Sequence, residues 1–318
     1  MVDVSVVIVN WNTHDFLDIC LASIYSQATN MRYEIYVVDN GSDDCSVSMV
    51  KEKYPEVNLI VNSKNLGFAK ANNQAIKFSQ GRYLLMLNSD TNLFKDTISK
   101  MLEFMDAHKE AGAVGAKLLN PDCSLQHSIY NFPNLVVTFF SIFLPYNLLP
   151  FFRLSYIKYW DKHDKTKVVD YVSGACLMIR QEMIKKIGVL DEEFFMYAEE
   201  ADWCFRVKKA GKKVYFFPGA QLIHYLGRSA IQRGLIRRSQ ELAVASIKFY
   251  NKHHNYLKAS IFLALLISVF MLRMIIWQVL YFVSFGRPKK NIYDRLTLNR
   301  KTLAAILKNP MQRREVSR

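Results

Sequence analysis

The sequence predicts an α/β protein built on a mostly parallel sheet flanked by helices, followed by a C-terminal, membrane-associated helical segment. Three observations carry that expectation. Apolar, β-branched runs alternate with helical patterns of ten to fifteen residues through the first 120 residues, as parallel strands joined by crossover helices do. Asn, Asp, Ser and Gly gather directly after successive strands. And 27 residues from Ala259 to Phe285 are interrupted only by Arg273, Gln278 and small hydroxyls, enough to cross a hydrocarbon layer of about 30 Å.

Val4 to Asn10 (VSVVIVN) is a continuous apolar, β-branched run and reads as the first strand. Thr13 can cap a helix whose apolar positions Phe16, Leu17, Cys20, Leu21 and Ile24 recur at helical spacing. Glu34 to Asp39 is the second strand, and the helix Cys45 to Tyr54 after it is closed by Pro55. Val57 to Asn62 is the third strand and Gly67 to Phe78 its helix. Arg82 to Asn88 is the fourth, followed by an amphipathic helix from Lys95 to His108 and a strand over Ala113 to Leu119. Ligands of such sheets bind at the carboxyl ends of the strands. Asn10-Trp11-Asn12, Asp39-Asn40-Gly41-Ser42, Asn65-Leu66-Gly67 and Asn88-Ser89-Asp90 all fall on that one rim. Each cluster alone is also ordinary turn chemistry.

Composition narrows the classes. Of 318 residues, 51% are hydrophobic and 22% charged, which excludes a disordered chain. Five scattered cysteines without a CxxC spacing suggest neither a disulfide framework nor a zinc site, so a reducing compartment is expected. No GxGxxG or GxxxxGK[ST] loop is present, which removes support for dinucleotide redox chemistry and P-loop hydrolysis. Instead, Asp39 can accept hydrogen bonds from a base or ribose, and Asp90 can ligate a divalent cation held against a diphosphate.

The formal charge is +14, and residues 286–318 hold ten Lys/Arg against Asp294 and Glu315, about +8 of it. Beside an apolar helix, that run points to acidic lipid headgroups rather than nucleic acid. MVDVSVVIVN lacks the features of a secretory leader, so residence in the cytoplasm is expected. Lys248, Lys252 and Lys258 precede the apolar stretch as Arg287, Lys289 and Lys290 follow it, so a re-entrant or in-plane helix, or two short helices, is preferred to a single span. A second apolar patch, Leu135 to Phe152, is broken by Pro145 and Pro150 and reads as an interfacial lip, an acceptor-side loop or a buried connector. The expected domains are 1–250, catalytic, and 251–318, membrane-associated helix or helices plus basic tail.

VSVVIVNWN, VVDNGSDD, NLGFAKANN, LLMLNSD, VSGACLMIR, FFMYAEEADWCFRVKKAG and HYLGRS together resemble family-2 inverting glycosyltransferases of the GT-A fold. The nearest likeness is to rhamnosyl- and galactofuranosyl-transferase members, over about residues 3 to 230. The resemblance implies a nucleotide-sugar site formed by Val9, Asn10, Asn12, Asp39, Asn40, Asn65, Gly67, Asn73, Ser89, Asp90, Gly174 and Ala175. It implies Mg²⁺ or Mn²⁺ held by Asp90 and His224, with Asn88 replacing the first acid of the usual DxD-type motif. It also implies an acidic group, Glu199, Glu200 and Asp202, in which Glu200 takes the acceptor proton. Crowding of these acids would raise at least one pKa; a dipole-favoured first helical turn is the plainer reading. Arg228 and Ser229 could face the diphosphate. Trp203 could stack on an acceptor sugar or equally be core.

The expected activity is transfer of a sugar from a nucleotide-diphosphate donor to a hydroxyl of a lipid-linked saccharide, at the cytoplasmic face of the membrane, for cell-surface polysaccharide assembly. Deoxythymidine-diphosphate rhamnose is the favoured donor, ahead of a uridine-diphosphate hexose or galactofuranose. A sugar-1-phosphate nucleotidyltransferase would show a Gly-rich basic loop after the first strand, and VNWNTHDF has none. A noncatalytic scaffold is the third reading, raised by Asn88 and Glu200.

Overall fold

The computed structural model describes residues 2–27, 31–135, 138, 163–225, 228–283 and 290–309, with main chain alone at 228–233, 290 and 291. The described residues fall into two compact units, one within Met1–Phe132 and Tyr159–Ser229, the other within Pro133–Lys158 and Ala230–Arg318. Most of the apolar patch expected over Leu135 to Phe152, and the tail beyond 309, lie outside the described residues.

In the first unit, β1 (Val4–Asn10), β2 (Tyr33–Asp39), β3 (Asn58–Val61) and β4 (Tyr83–Asn88) are joined by α1 (His14–Tyr25), α2 (Ser46–Lys53) and α3 (Phe68–Ile76). β1 sits between β2 and β4, parallel to both, and β2 pairs parallel with β3. This central placement explains why VSVVIVN is apolar on both faces. Val4, Val6 and Ile8 enter one core layer with Leu17, Leu21 and Ile24 of α1; Val7 enters the opposite layer with Ala69, Ala75 and Ile76 of α3. The period of two along the strand thus builds both layers from one segment.

The chain continues through β5 (Thr91–Leu93), α4 (Thr97–Ala107), β6 (Ala111–Leu119), β7 (Leu125–Gln126), β8 (Ile129–Tyr130), β9 (Lys167–Val169), β10 (Tyr171–Val172), β11 (Cys176–Arg180), α5 (Gln181–Ile187), α6 (Glu199–Lys209) and β12 (Lys213–His224). The main sheet runs β3-β2-β1-β4-β11-β6-β12-β5. The N-terminal half is parallel as expected, but β11 lies antiparallel between β4 and β6, so the sheet is mixed. Thr13 also departs from expectation: it makes no cap bond, and its Oγ1 donates to Asn10 Oδ1 at 2.6 Å instead.

In the second unit α7 (Arg228–His253) is kinked at Gly234, and α8 (Tyr256–Val283) and α9 (Lys290–Leu307) follow. Asn255 starts α8, accepting from the Lys258 N–H at 3.0 Å. As far as Val283 the apolar stretch is one continuous helix rather than two short ones, in a helix of 28 residues or about 42 Å. Arg273 does not break it, its guanidinium lying 5.7 Å from the centroid of the Phe270 ring. Within this helix an 18-residue window has a mean hydropathy of 2.5 and is 22% buried; by length and composition it could cross a membrane.

Candidate active site

The carboxyl ends of β1 and β2 meet in register, Asn10 opposite Asp39. There the polar side chains bind one another. Asp39, 1% exposed, receives Asn10 Nδ2 at 2.9 Å, the Ser42 N–H at 3.0 Å and the Ser42 hydroxyl at 2.6 Å. Asn12, held with φ at 53°, receives the Asp43 N–H on its Oδ1 and donates its own N–H to Ser42 Oγ. Asn40 donates to Asn65 Oδ1 and the Gly67 carbonyl, and accepts from Asn62 Nδ2 and the Leu66 N–H. Ser89 meets Thr13 hydroxyl to hydroxyl at 2.8 Å. Three of the four polar clusters are thereby laced into one rim, with Asp39 and Asn40 at its base.

Two expected donor-site residues are placed differently. Gly67 has φ 90°, and a Cβ there would lie 2.7 Å from the carbonyl oxygen of Phe195; that carbonyl accepts from the Phe68 N–H at 2.8 Å. Glycine is therefore required for approach of the loop ahead of α6. Asn73, 1% exposed, grips the same loop through the Leu190 carbonyl (2.8 Å), the Leu190 N–H (3.1 Å) and Glu192 Oε1 (3.1 Å). Both residues position a loop.

Beyond β4, the Asn88-Ser89-Asp90 turn faces the end of β12. Asp90 Oδ1 lies 3.2 Å from His224 Nε2, and Asn88 Nδ2 lies 3.3 Å from the same nitrogen. Asp90 and His224 are 5% and 8% exposed. Gln126 of β7, which sequence reasoning missed, binds His224 twice, at Nδ1 (2.6 Å) and at the main-chain carbonyl (2.9 Å). Among the described residues no group of three or more His, Cys, Asp and Glu side chains stands in position to hold a metal. Asp90 and His224 nevertheless fit a divalent cation that takes its other ligands from substrate phosphates and water, the usual arrangement for Mg²⁺. Their 3.2 Å separation is close to the roughly 3.0 Å between adjacent ligands of an octahedral ion with bonds of about 2.1 Å.

The turn before β11 joins this end to the acidic helix. Ala175 accepts from the Asn88 N–H at 3.1 Å, while a Cβ at Gly174 would stand 3.7 Å from Glu200 Cβ and 3.3 Å from Met86 Cε. The turn thus borders both the loop after β4 and Glu200, and its glycine leaves room for close approach. Val9 lies opposite Asn88 in the β1–β4 register.

Tyr197 (φ 70°) and Ala198 (φ 67°) both enter α6 in the left-handed region, a conformation costing on the order of 1–3 kcal/mol each for non-glycine residues. Glu199, Glu200 and Asp202 follow in the first turn. Glu200 is half-buried; its Oε2 is enclosed and receives no hydrogen bond from the described residues. Burial pushes its carboxyl up to about 7, against the opposing pull of the Glu200 and Ala201 N–H groups. The expected cause was crowding of like charges; the cause is desolvation instead. Glu199 is buried beside it. Asp202 is fully enclosed, 2.8 Å from Arg206 Nε, and Arg206 also donates to the Ile187 and Val189 carbonyls. Asp202 therefore braces α6 against the loop after α5. Trp203 is fully enclosed, its Nε1 donating to the Gly188 carbonyl at 2.9 Å. Of its two readings the core one holds: no ring face remains for a sugar. Gly227 and the side chains of Arg228 and Ser229 lie outside the described residues.

The sequence profile described as Glycosyl transferase family 2 matches residues 5–188. The chain is 28% identical over 240 residues to the N-acetylglucosaminyl-diphospho-decaprenol L-rhamnosyltransferase of Mycobacterium tuberculosis, covering 70% of this chain and 76% of that protein. It is 25% identical over 230 residues to Rhamnosyltransferase WbbL of Escherichia coli K12, covering 70% and 83%. Among solved structures, the mannosyltransferase PcManGT of Pyrobaculum calidifontis, in complex with GDP-Man and Mn²⁺, superposes with a TM-score of 0.58 at 15% identity over 96% of this chain and 86% of that one. GalNAc-T7, solved with UDP, GalNAc and Mn²⁺, gives 0.54 at 14% over 80% and 51%. These structural likenesses bear on the fold, and both neighbours were solved with a divalent cation.

Proposed function

The chain belongs to glycosyl transferase family 2, and from that premise we propose that it is an inverting enzyme that transfers a sugar from a nucleotide-diphosphate donor to a hydroxyl of a lipid-linked saccharide, in cell-surface polysaccharide synthesis. Glu200 is the base. Its carboxylate takes the proton of the acceptor hydroxyl as that oxygen bonds to the anomeric carbon; the bond from that carbon to the diphosphate oxygen breaks on the opposite face, and the configuration inverts. The laced rim around Asp39 and Asn10 receives the nucleoside end of the donor. Asp90 and His224 would hold a Mg²⁺ or Mn²⁺ ion, which when bound neutralises charge on the departing diphosphate. Asn73 and Gly67 hold the loop that delivers Glu200, and Asp202 with Arg206 fixes the helix on which it stands.

The observation that carries this reading is the Gly174–Ala175 turn, which touches the Asn88 main chain on one side and approaches Glu200 on the other. The turn thus lies between Glu200 and the loop that carries Asp90. The rhamnosyltransferase relatives support rhamnose as the donor sugar, as deoxythymidine-diphosphate rhamnose, and a polyprenyl-diphosphate saccharide as acceptor. The apolar α8, with exposed Arg295, Arg300 and Lys301 on α9, supports seating at the anionic cytoplasmic face of the membrane.

Purified full-length protein incubated with Mn²⁺, a polyprenyl-diphosphate N-acetylglucosamine acceptor and single nucleotide sugars tests the reading. Transfer from deoxythymidine-diphosphate rhamnose is expected. Transfer only from uridine-diphosphate hexoses would replace the donor, and formation of nucleotide sugar from a sugar phosphate would overturn the reaction class.

A further inference from the structure

Gln126 lies on a two-residue strand that pairs with β6 at Leu118, and no motif marks it in the sequence. It is 8% exposed, and its hydrogen bonds determine the state of its neighbour. A main-chain carbonyl can only accept, so the Gln126 amide must present its NH₂ to the His224 carbonyl, 2.9 Å away. Asn120 enforces the same orientation. Its Nδ2 donates to the Leu125 carbonyl (3.4 Å) and Ser124 Oγ (2.8 Å), which leaves Asn120 Oδ1 to accept from Gln126 Nε2 at 3.0 Å. Gln126 Oε1 therefore faces His224 Nδ1 at 2.6 Å as an acceptor, and Nδ1 must carry the proton. Nε2 is then the ring nitrogen turned toward Asp90 Oδ1 and Asn88 Nδ2.

We propose that Gln126 is a positioning residue for the cation site: through its Oε1 it holds His224 in the Nδ1–H tautomer and in the ring orientation that aims Nε2 beside Asp90, and so sets divalent-cation affinity. This rests on the reading of Asp90 and His224 as cation ligands. Groups that hold a ligating imidazole from behind in this way change metal affinity by about 10–100-fold when removed.

The test is Mn²⁺ titration of the full-length protein, with free Mn²⁺ read by electron paramagnetic resonance, in the absence and presence of deoxythymidine diphosphate as a probe. Gln126→Leu is expected to weaken Mn²⁺ binding by about 10–100-fold, while Gln126→Glu, which keeps an acceptor for Nδ1–H but lacks the amide N–H, stays within about threefold of the parent. A residue that only braced the chain through its N–H groups would give the opposite: equal losses in both variants. That outcome, or parent affinity in Gln126→Leu, overturns the proposal. If Gln126→Leu does not fold, Gln126→Glu alone decides, retention of affinity supporting the role and a tenfold loss overturning it. His224→Ala separates the two levels. Parent affinity there overturns the cation site and this proposal with it; weakened binding there with parent affinity in Gln126→Leu overturns the role of Gln126 alone.

Discussion

Asp39 and Glu200 are both carboxyls of the candidate site, and their surroundings differ in kind. Asp39 receives three hydrogen bonds from Asn10 and Ser42. Glu200 has an enclosed Oε2 that receives none from the described residues. A buried carboxylate is tolerated where donors replace water and is disfavoured where they do not. The rim after β1 and β2 is therefore wired as scaffold, shaped by side chains that bind one another. The first turn of α6 holds a carboxyl that burial pushes up to about 7. The same contrast recurs within one turn of α6, where Asp202 is locked by Arg206 and Glu200 is not. Acidic residues two apart in sequence thus have different surroundings: among the described residues Asp202 is paired with a guanidinium, and Glu200 Oε2 receives no hydrogen bond.

Perturbing each side of this contrast gives measurable differences. The largest effect is expected from Arg206→Leu, which strands Asp202 in the interior; loss of one partner of a buried pair costs about 3–5 kcal/mol, read by urea unfolding. A loss below about 1 kcal/mol, the range of exposed pairs, would mean that Asp202 is not braced by the pair. Glu200→Gln should retain nucleotide binding by calorimetry and lose transfer by on the order of 10² or more; an undiminished rate would erase the distinction between the two acids. The same variant should unfold at a higher temperature than the parent at pH 8 and alike at pH 4. The folded carboxyl keeps its proton up to about 7, so the stability tied to that proton is complete below the ordinary carboxyl value and lost as pH rises through 7. Asn73→Ala, which frees the Leu190 main chain, should cost about 1–3 kcal/mol and lower kcat more than donor affinity. Asp90→Ala should weaken Mn²⁺-dependent nucleotide binding by about tenfold, or 1.4 kcal/mol, with metal-free binding unchanged.

Much of the first half is legible from local pattern. The strand expected over Val4 to Asn10 has those bounds in the structure, because its apolar run is central and buried on both faces. The helices expected over Cys45–Tyr54 and Gly67–Phe78 end one or two residues short, at Ser46–Lys53 and Phe68–Ile76, since terminal turns depend on caps that periodicity does not see. The antiparallel entry of β11 could not be read, because pairing between residues about ninety apart leaves no local signature. In the site, Asp90 stood out as an acid directly after a strand, whereas His224 as its partner and the role of the acidic turn of α6 came only from the family resemblance. Trp203 was not assignable, because an aromatic residue at helical spacing serves core and sugar stacking alike. Gln126 was invisible: a single polar residue on a two-residue strand acquires meaning only when folding brings His224 against it.

The central claim is that Glu200 removes the acceptor proton from a site that holds its carboxyl near neutrality. The most direct measurement is the transfer rate at saturating donor and acceptor from pH 5 to 9, for the parent and for Glu200→Gln. The parent should lose rate about tenfold per unit below an inflection near 7, and the residual rate of the variant should lack that limb. A parent rate that holds level down to pH 5, or the same acid limb in both proteins, would contradict the assignment.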